Sequence, residues 1–409
     1  MKKVLISAFA CDPKMGSEEG YGWNWSAGLA KKGFEVHCLT RNLGKENIEN
    51  VSKPANLYFH YIILPLGFEN LYSNSKFGMY LYYLLWQLLA YYKARSLNKK
   101  HHFNIVHHVT WGSVQLGSFL YKLDIPFIFG PAGGGQISPS AFKNYFGKSW
   151  NVEEKRNKVS AFLVKYNPAC RNMLKKATTV WVSNQETADL VKKIRFSEVN
   201  QTLDTALPLD FYPKNFQPKK PEKGTLKLLW VGRLMPRKGV MLLLDVMEKL
   251  KEYPGIVLTM VGDGEQRERI LEAIKFKELG SIVIFKGKVP YEEVKKFYNS
   301  HDAFFFTSLR DSGAVQLVEA MAFGMPVVTI NLHGQSIIVN DETGFRCPCK
   351  DPAEAIEALT NSILKLYCDS DLLGRMSLAA HKYALQQTWD QKIDTVVNKS
   401  YAFCKTSKA

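Results

Sequence analysis

Cysteine, acidic side chains and long apolar runs are all scarce in this chain, and each scarcity excludes a class of protein. The seven cysteines, Cys11, Cys38, Cys170, Cys347, Cys349, Cys368 and Cys404, are odd in number and lack paired metal spacing. That excludes a disulfide framework and a zinc ribbon, and it fits a reducing, cytoplasmic setting. Acidic residues number 38 against 54 Lys and Arg, leaving a net charge of +16, most of it in the first half of the chain. Such a surplus attracts anionic partners, but no RNA-binding signature accompanies it, so nucleic acid is not the expected partner. The apolar start is cut by Asp12 and Lys14, which argues for a first strand rather than an export signal.

A single segment, residues 77–92, is apolar or aromatic nearly all round, and Lys93, Arg95, Lys99 and Lys100 follow it. It falls short of the roughly 20 residues that cross a bilayer. Two readings suit it: a helix lying in the headgroup layer of an anionic membrane, or a buried helix of the first domain.

Short β-branched or aromatic runs at 4–9, 35–39, 57–63, 105–109, 127–129 and 178–182 alternate with longer helical stretches. This alternation predicts stacked βαβ units around a parallel sheet. A Pro- and Lys-rich stretch at 208–224 excludes a regular element and reads as a linker. The rhythm restarts at 226–231, 256–261, 282–285, 303–306 and 326–330. The expected fold class is therefore α/β, with two Rossmann-like doubly wound domains, 1–207 and 225–384, facing across a cleft.

The chemistry concentrates in the second domain. Gly232-Arg233 ends a predicted strand and Lys238-Gly239 opens the next helix, so both cations can meet a diphosphate at a helix mouth. Downstream, Asp311 and Glu319 are separated by seven residues, the first in a loop and the second about two turns into a helix. The amides of Ser312, Gly313, Ala314 and Val315 form an anion site, and the small residues admit a sugar. In the first domain, Gly16 follows the first strand, where its amide can approach a phosphate or acceptor. His107 and His108 close a strand, where either imidazole can hydrogen-bond the donor sugar or acceptor, and one of them, His108 by preference, is a candidate site residue. Gly133-Gly134-Gly135 reads as an acceptor-binding or moving loop.

These motifs come in a particular order. Gly232-Arg233-Leu234 with Lys238-Gly239, then Val261-Gly262-Asp263-Gly264, then Phe285-Lys286-Gly287, then the Asp311 to Glu319 block with Gly324-Met325-Pro326, resemble the donor domain of retaining glycosyltransferases of family 4, which have the GT-B fold. The resemblance covers about residues 226–346. It implies that Arg233 and Lys238 hold the nucleotide diphosphate, with Gly232 and Gly262 beside it. It implies that Asp311 contacts hydroxyls of the donor sugar and Glu319 the nucleotide ribose. Asp at 311 stands where the family has Glu, and Ser312-Gly313-Ala314 stands where it has Gly-Phe-Gly. In relatives the C-terminal helix, here about 385–409, packs back on the first domain.

The implied activity is transfer of a sugar, with retention, from a UDP-, GDP- or ADP-sugar to a glycan or lipid-linked glycan in surface polysaccharide or glycolipid assembly. The donor is a substrate, so no cofactor is implied, and no metal is required because the cations neutralise the leaving group. Replacing either Arg233 or Lys238 by Ala is expected to cut turnover while leaving the fold intact. The alternatives are a sugar phosphorylase and a non-catalytic GT-B protein that binds carbohydrate or membrane.

Overall fold

Runs of apolar and β-branched residues too short for helices become thirteen parallel strands in the computed structural model, which describes residues 1–195 and 197–401. Cys404 and the last eight residues of the expected C-terminal helix lie outside the described residues. By contacts, the chain divides into two units.

Unit 1 comprises Met1–Gly135, Lys158–Thr205 and the stretch from Trp389. Its strands are β1 (Lys3–Ala8), β2 (Glu35–Arg41), β3 (Leu57–Ile62), β4 (Ile105–Thr110), β5 (Phe127–Ala132), β6 (Thr179–Val182) and β7 (Val199–Gln201). They lie in the order β3-β2-β1-β4-β5-β6-β7. Both faces of this sheet are covered, so most of its strand residues are buried. The chain builds outward from β1 to β3 and then returns to the other side of β1, which makes the gap between β1 and β4 the switch point where such sheets bind ligands.

Unit 2 comprises Gln136–Asn157 and Ala206–Thr388. Its strands are β8 (Leu226–Val231), β9 (Ile256–Val261), β10 (Val283–Gly287), β11 (Ala303–Phe306), β12 (Val327–Ile330) and β13 (Gly344–Cys347), in the order β10-β9-β8-β11-β12-β13. The switch point here lies between β8 and β11.

The domain boundaries differ from the expectation in three places. Residues 136–157 were expected in the first domain but belong to unit 2, because Phe142 and Phe146 are buried in its core with Trp150 packed against them. The stretch 208–224 is not a free linker. Its Phe216 ring stacks on His381 at 3.7 Å, and the Lys219 N–H donates to Ser377 Oγ at 2.8 Å, both inside unit 2. Unit 2 also runs to Thr388, and it is from Trp389 that the chain belongs with unit 1. There Ile393 fills the space beside Gly28, where a Cβ would sit 2.2 Å from its Cδ1, and Ser400 Oγ accepts from Trp181 Nε1 at 2.8 Å.

Residues 77–92 fall in the helix Lys76–His101. Its inner face buries Tyr82, Tyr83, Trp86, Ala90 and Ala94 in the core of unit 1, as a core helix should. Its outer face exposes Phe77, Leu81, Leu84, Leu88 and Tyr92 at helical spacing, with Lys93, Arg95, Lys99 and Lys100 exposed beyond them. Among the described residues no helix is long and apolar enough to cross a membrane.

Candidate functional site

The switch point of unit 2 gathers the residues after β8 and β11. Gly239 has φ +64 and lies so close to β11 that a Cβ would sit 2.1 Å from the Thr307 carbonyl oxygen, so only glycine fits here. Backbone and hydroxyl bonds then stitch the two loops together: the Leu309 N–H donates to the Arg237 carbonyl at 2.8 Å and Thr307 Oγ1 donates to the Gly239 carbonyl at 2.9 Å. On the other side, a Cβ at Gly262 would meet the Gly232 carbonyl oxygen at 1.8 Å, which brings the loop after β9 against the same turn.

This framework sets Lys238 against Asp311, with Nζ 2.5 Å from Oδ2. Arg237 approaches the same oxygen at 3.5 Å and Ser308 Oγ donates to it at 3.1 Å. Lys238 is buried, and its ammonium lies 5.1 Å from the centre of the Phe306 ring. Burial pushes the Lys238 ammonium below its usual range, against the pull of Asp311. Burial alone would raise the Asp311 carboxyl, but the charges of Lys238 and Arg237 outweigh it and hold the group below the ordinary carboxylate range. Arg233 differs from both: it is exposed, and no ion pair or side-chain hydrogen bond engages it among the described residues.

The helix that follows is Val315–Ala322, so Glu319 stands just past one turn rather than two turns in, because residues 311–314 remain loop. The N–H groups of Gly313, Ala314, Val315 and Gln316 meet no acceptor among the described residues, and they form the positive mouth of this helix. Glu319 is buried at 6% exposure and accepts from two phenols, Tyr291 at 2.9 Å and Tyr298 at 2.8 Å. Burial raises its carboxyl above the usual value, and the two tyrosine bonds counter only part of that. Both phenols come from one helix, Tyr291–Ser300, where a seven-residue spacing puts them on the same side.

Several participants escaped the sequence reading. Arg237 was passed over beside its neighbours, and the tyrosine pair carries no local mark beyond its spacing. Glu153, in the inserted segment, pairs with Arg310 at 2.6 Å and so steadies the loop leading to Asp311. The Asp369-Ser370-Asp371 triplet, which has the spacing of a metal-binding acid pair, serves as a helix cap: Asp369 Oδ1 accepts from the Leu372 N–H at 2.8 Å.

Gly16 and His108 belong to unit 1, around that unit's own switch point. Gly16 precedes the helix Ser17–Lys31 and is exposed. His108 lies inside β4 and is fully buried; its Nδ1 meets Ser7 Oγ at 3.0 Å, and its Nε2 meets the Trp111 carbonyl at 3.3 Å. Burial pushes its imidazole down to about 3, so it is neutral. His107 is likewise neutral, its Nε2 bound to the Gly130 carbonyl at 2.7 Å. A titrating group does sit at this switch point, and it was missed. Glu18 accepts from the Gly112 N–H at 3.2 Å, and burial lifts its carboxyl to about 7. The triple glycine packs closely: a Cβ at Gly135 would meet the Glu186 carbonyl oxygen at 2.4 Å.

Two doubly wound parallel sheets in one chain, the second with this basic and acidic cluster at its switch point, define the GT-B architecture. Residues 212–383 match the family of glycosyl transferases group 1. A glycogen synthase from Mycobacterium tuberculosis is 29% identical over 193 residues, covering 46% of this chain and 45% of that protein. The chain thus spans less than half the length of that curated relative. N-acetyl-alpha-D-glucosaminyl L-malate synthase from Bacillus anthracis is 21% identical over 407 residues, covering 95% of this chain and 94% of the relative. Among solved structures, Anabaena HepE in complex with UDP superimposes with a TM-score of 0.63 at 14% identity, covering 98% of this chain and all of HepE.

Proposed function

We propose that the protein is a retaining glycosyltransferase that moves a sugar from a nucleoside diphosphate sugar to a glycan or lipid-linked glycan during surface polysaccharide or glycolipid assembly. The observation that carries this reading is the switch point of unit 2, where the loop after β8 carries the exposed Arg233 and the buried Lys238, and the loop after β11 carries the open amides of residues 313–316. In this reading these groups hold the diphosphate. Asp311, kept ionised by Lys238 and Arg237, is assigned to hydroxyls of the transferred sugar. Glu319, whose oxygens keep lone pairs beyond those the tyrosines use, is assigned to the ribose.

In this scheme the bond from the anomeric carbon to the diphosphate oxygen breaks while the acceptor oxygen bonds to the same face of that carbon. The departing phosphate oxygen takes the acceptor's proton. Arg233, Lys238 and the helix amides stabilise the charge that develops on the leaving group, and the step needs no metal. Gly16, Glu18 and the loop that His108 supports, all in unit 1, are assigned to the acceptor.

Binding of the donor tests this reading. With EDTA present, one of the UDP-, GDP- or ADP-sugars is expected to raise the melting temperature, since ligand at about 100 times Kd stabilises by roughly 2.7 kcal/mol. Arg233→Ala should abolish that shift. If no nucleotide sugar stabilises the wild-type protein, the reading is wrong.

The outer face of the helix Lys76–His101 supports a second element, contact with an anionic membrane. An exposed apolar stripe ending in four exposed cations suits the headgroup layer. Co-sedimentation with phosphatidylserine vesicles is expected, with none on phosphatidylcholine alone, and Leu84→Glu with Leu88→Glu should release the protein. Equal recovery with both vesicle types, or unchanged binding by the double variant, would remove this contact.

A further inference from the structure

At the start of β2 in the unit 1 sheet, four ring and carboxylate side chains converge. The period of two along β2 puts Glu35 and His37 on one face. In the pairing register Lys3 lies beside Glu35, Tyr58 beside His37, and His60 beside Leu39, so His60 joins the same face from β3. The helix Lys76–His101 ends over that face, bringing the His101 ring to 4.2 Å from that of His37.

Each of Glu35, His37 and His101 offers one ligand atom, and the three atoms lie within 4.8 Å of one another. His37 Nε2 is 3.2 Å from Glu35 Oε1, and His101 Nδ1 is 4.0 Å from the same oxygen. Tetrahedral zinc with bonds of about 2.0–2.2 Å sets its ligand atoms roughly 3.3–3.6 Å apart, a range that the 3.2 and 4.0 Å separations bracket. We propose that Glu35, His37 and His101 form a zinc site that pins the end of the long helix to the start of β2.

The surroundings fit such an ion. His37 Nδ1 lies 2.9 Å from His60 Nε2, so His60 can accept the Nδ1 proton and leave Nε2 turned toward the metal. Zn²⁺ would lie between His37 Nε2 and the Glu35 carboxylate in place of their direct 3.2 Å contact, and its binding would release any proton held there. Phe103 and Tyr58 wall the His37 ring, with centroids at 5.2 and 4.9 Å. A helix C-terminus, where His101 stands, carries the negative end of the dipole and favours a cation. Lys3 Nζ, 3.5 Å from Glu35 Oε1, is the competing charge and must swing toward solvent, to which its side chain is 35% open. Two imidazoles and one carboxylate leave the fourth position for water, a set that suits zinc better than magnesium or calcium. His60 is a positioning residue.

The full-length chain, stripped with chelator, is titrated with Zn²⁺ against a competing indicator, and Co²⁺ absorption reports the geometry. A single tight Zn²⁺ per chain is expected, with a tetrahedral Co²⁺ spectrum. His101→Asn and Glu35→Gln should each weaken binding by more than about 100-fold, and His60→Ala by roughly 10–100-fold. Circular dichroism of the metal-free variants should match that of the metal-free wild type. No zinc uptake by the wild type would overturn the site, as would full affinity in the His101→Asn/Glu35→Gln double variant, which would place the ion on other residues such as Cys347 and Cys349. The outcome is independent of sugar transfer.

Discussion

Lys238→Ala is expected to lower turnover by about 100- to 1000-fold, the usual cost of removing one preorganised donor to a developing anion, and to destabilise the fold as well. Arg233→Ala should cost turnover on the same scale while leaving the melting temperature almost unchanged, because Arg233 is exposed and engages no partner among the described residues. The two cations look alike in sequence and separate only in the structure. Lys238 is buried against Asp311, so its removal strands a carboxylate that, among the described residues, Arg237 and Ser308 still touch. Breaking a buried pair from one side costs about 3–5 kcal/mol, whereas replacing both partners by apolar groups is often neutral. Lys238→Met combined with Asp311→Leu should therefore recover most of the lost stability and none of the activity. Chemical denaturation and steady-state rates on the three variants separate these outcomes. An active double variant would sink the assignment of this pair to the reaction, and a Lys238→Ala protein as stable as wild type would contradict its burial.

Phe142→Ala is expected to destabilise unit 2 by about 3–5 kcal/mol, the range for deleting a fully buried aromatic ring. The sequence position suggests otherwise, since residue 142 follows the fifth strand of unit 1. Its ring nonetheless belongs to the core that holds Trp230, Leu243 and Met260. Hydrogen exchange should show the loss in β8 and β9 while β1 and β4 keep their protection. Faster exchange confined to β1 and β4 would return the segment to unit 1.

Strands were legible where apolar and β-branched residues form a run bounded by glycine, proline or charge. β8, β9 and β11 begin and end at the residues expected from such runs. The two strands that escaped notice, β7 and β13, are edge strands of three and four residues with polar positions in them, Asn200 and Arg346 among others. Short half-exposed strands leave almost no periodic signal. The insertion of residues 136–157 into unit 2 was illegible for another reason. Phe142, Phe146 and Trp150 announce an apolar face but not which of two cores receives it. At the candidate site, the motif singled out residues that the fold brings together, but their pairing was hidden: Lys238 and Asp311 are separated by 73 positions, and Glu319 meets its phenols 21 and 28 residues away. Burial decides the rest. It makes His108 a neutral support for the Trp111 loop and turns Glu18 into the group that titrates near neutrality.

The return of the chain to unit 1 at Trp389 bears on the order of synthesis. Trp25, Trp181 and His107 each meet a residue of this final stretch, Trp389, Ser400 and Tyr401 respectively. On the ribosome the first 135 residues therefore emerge long before the segment that closes over them. Unit 2, whose described segments end at Thr388, can be complete while those rings still await their cover. The N-terminal unit, though begun first, is the last to be finished.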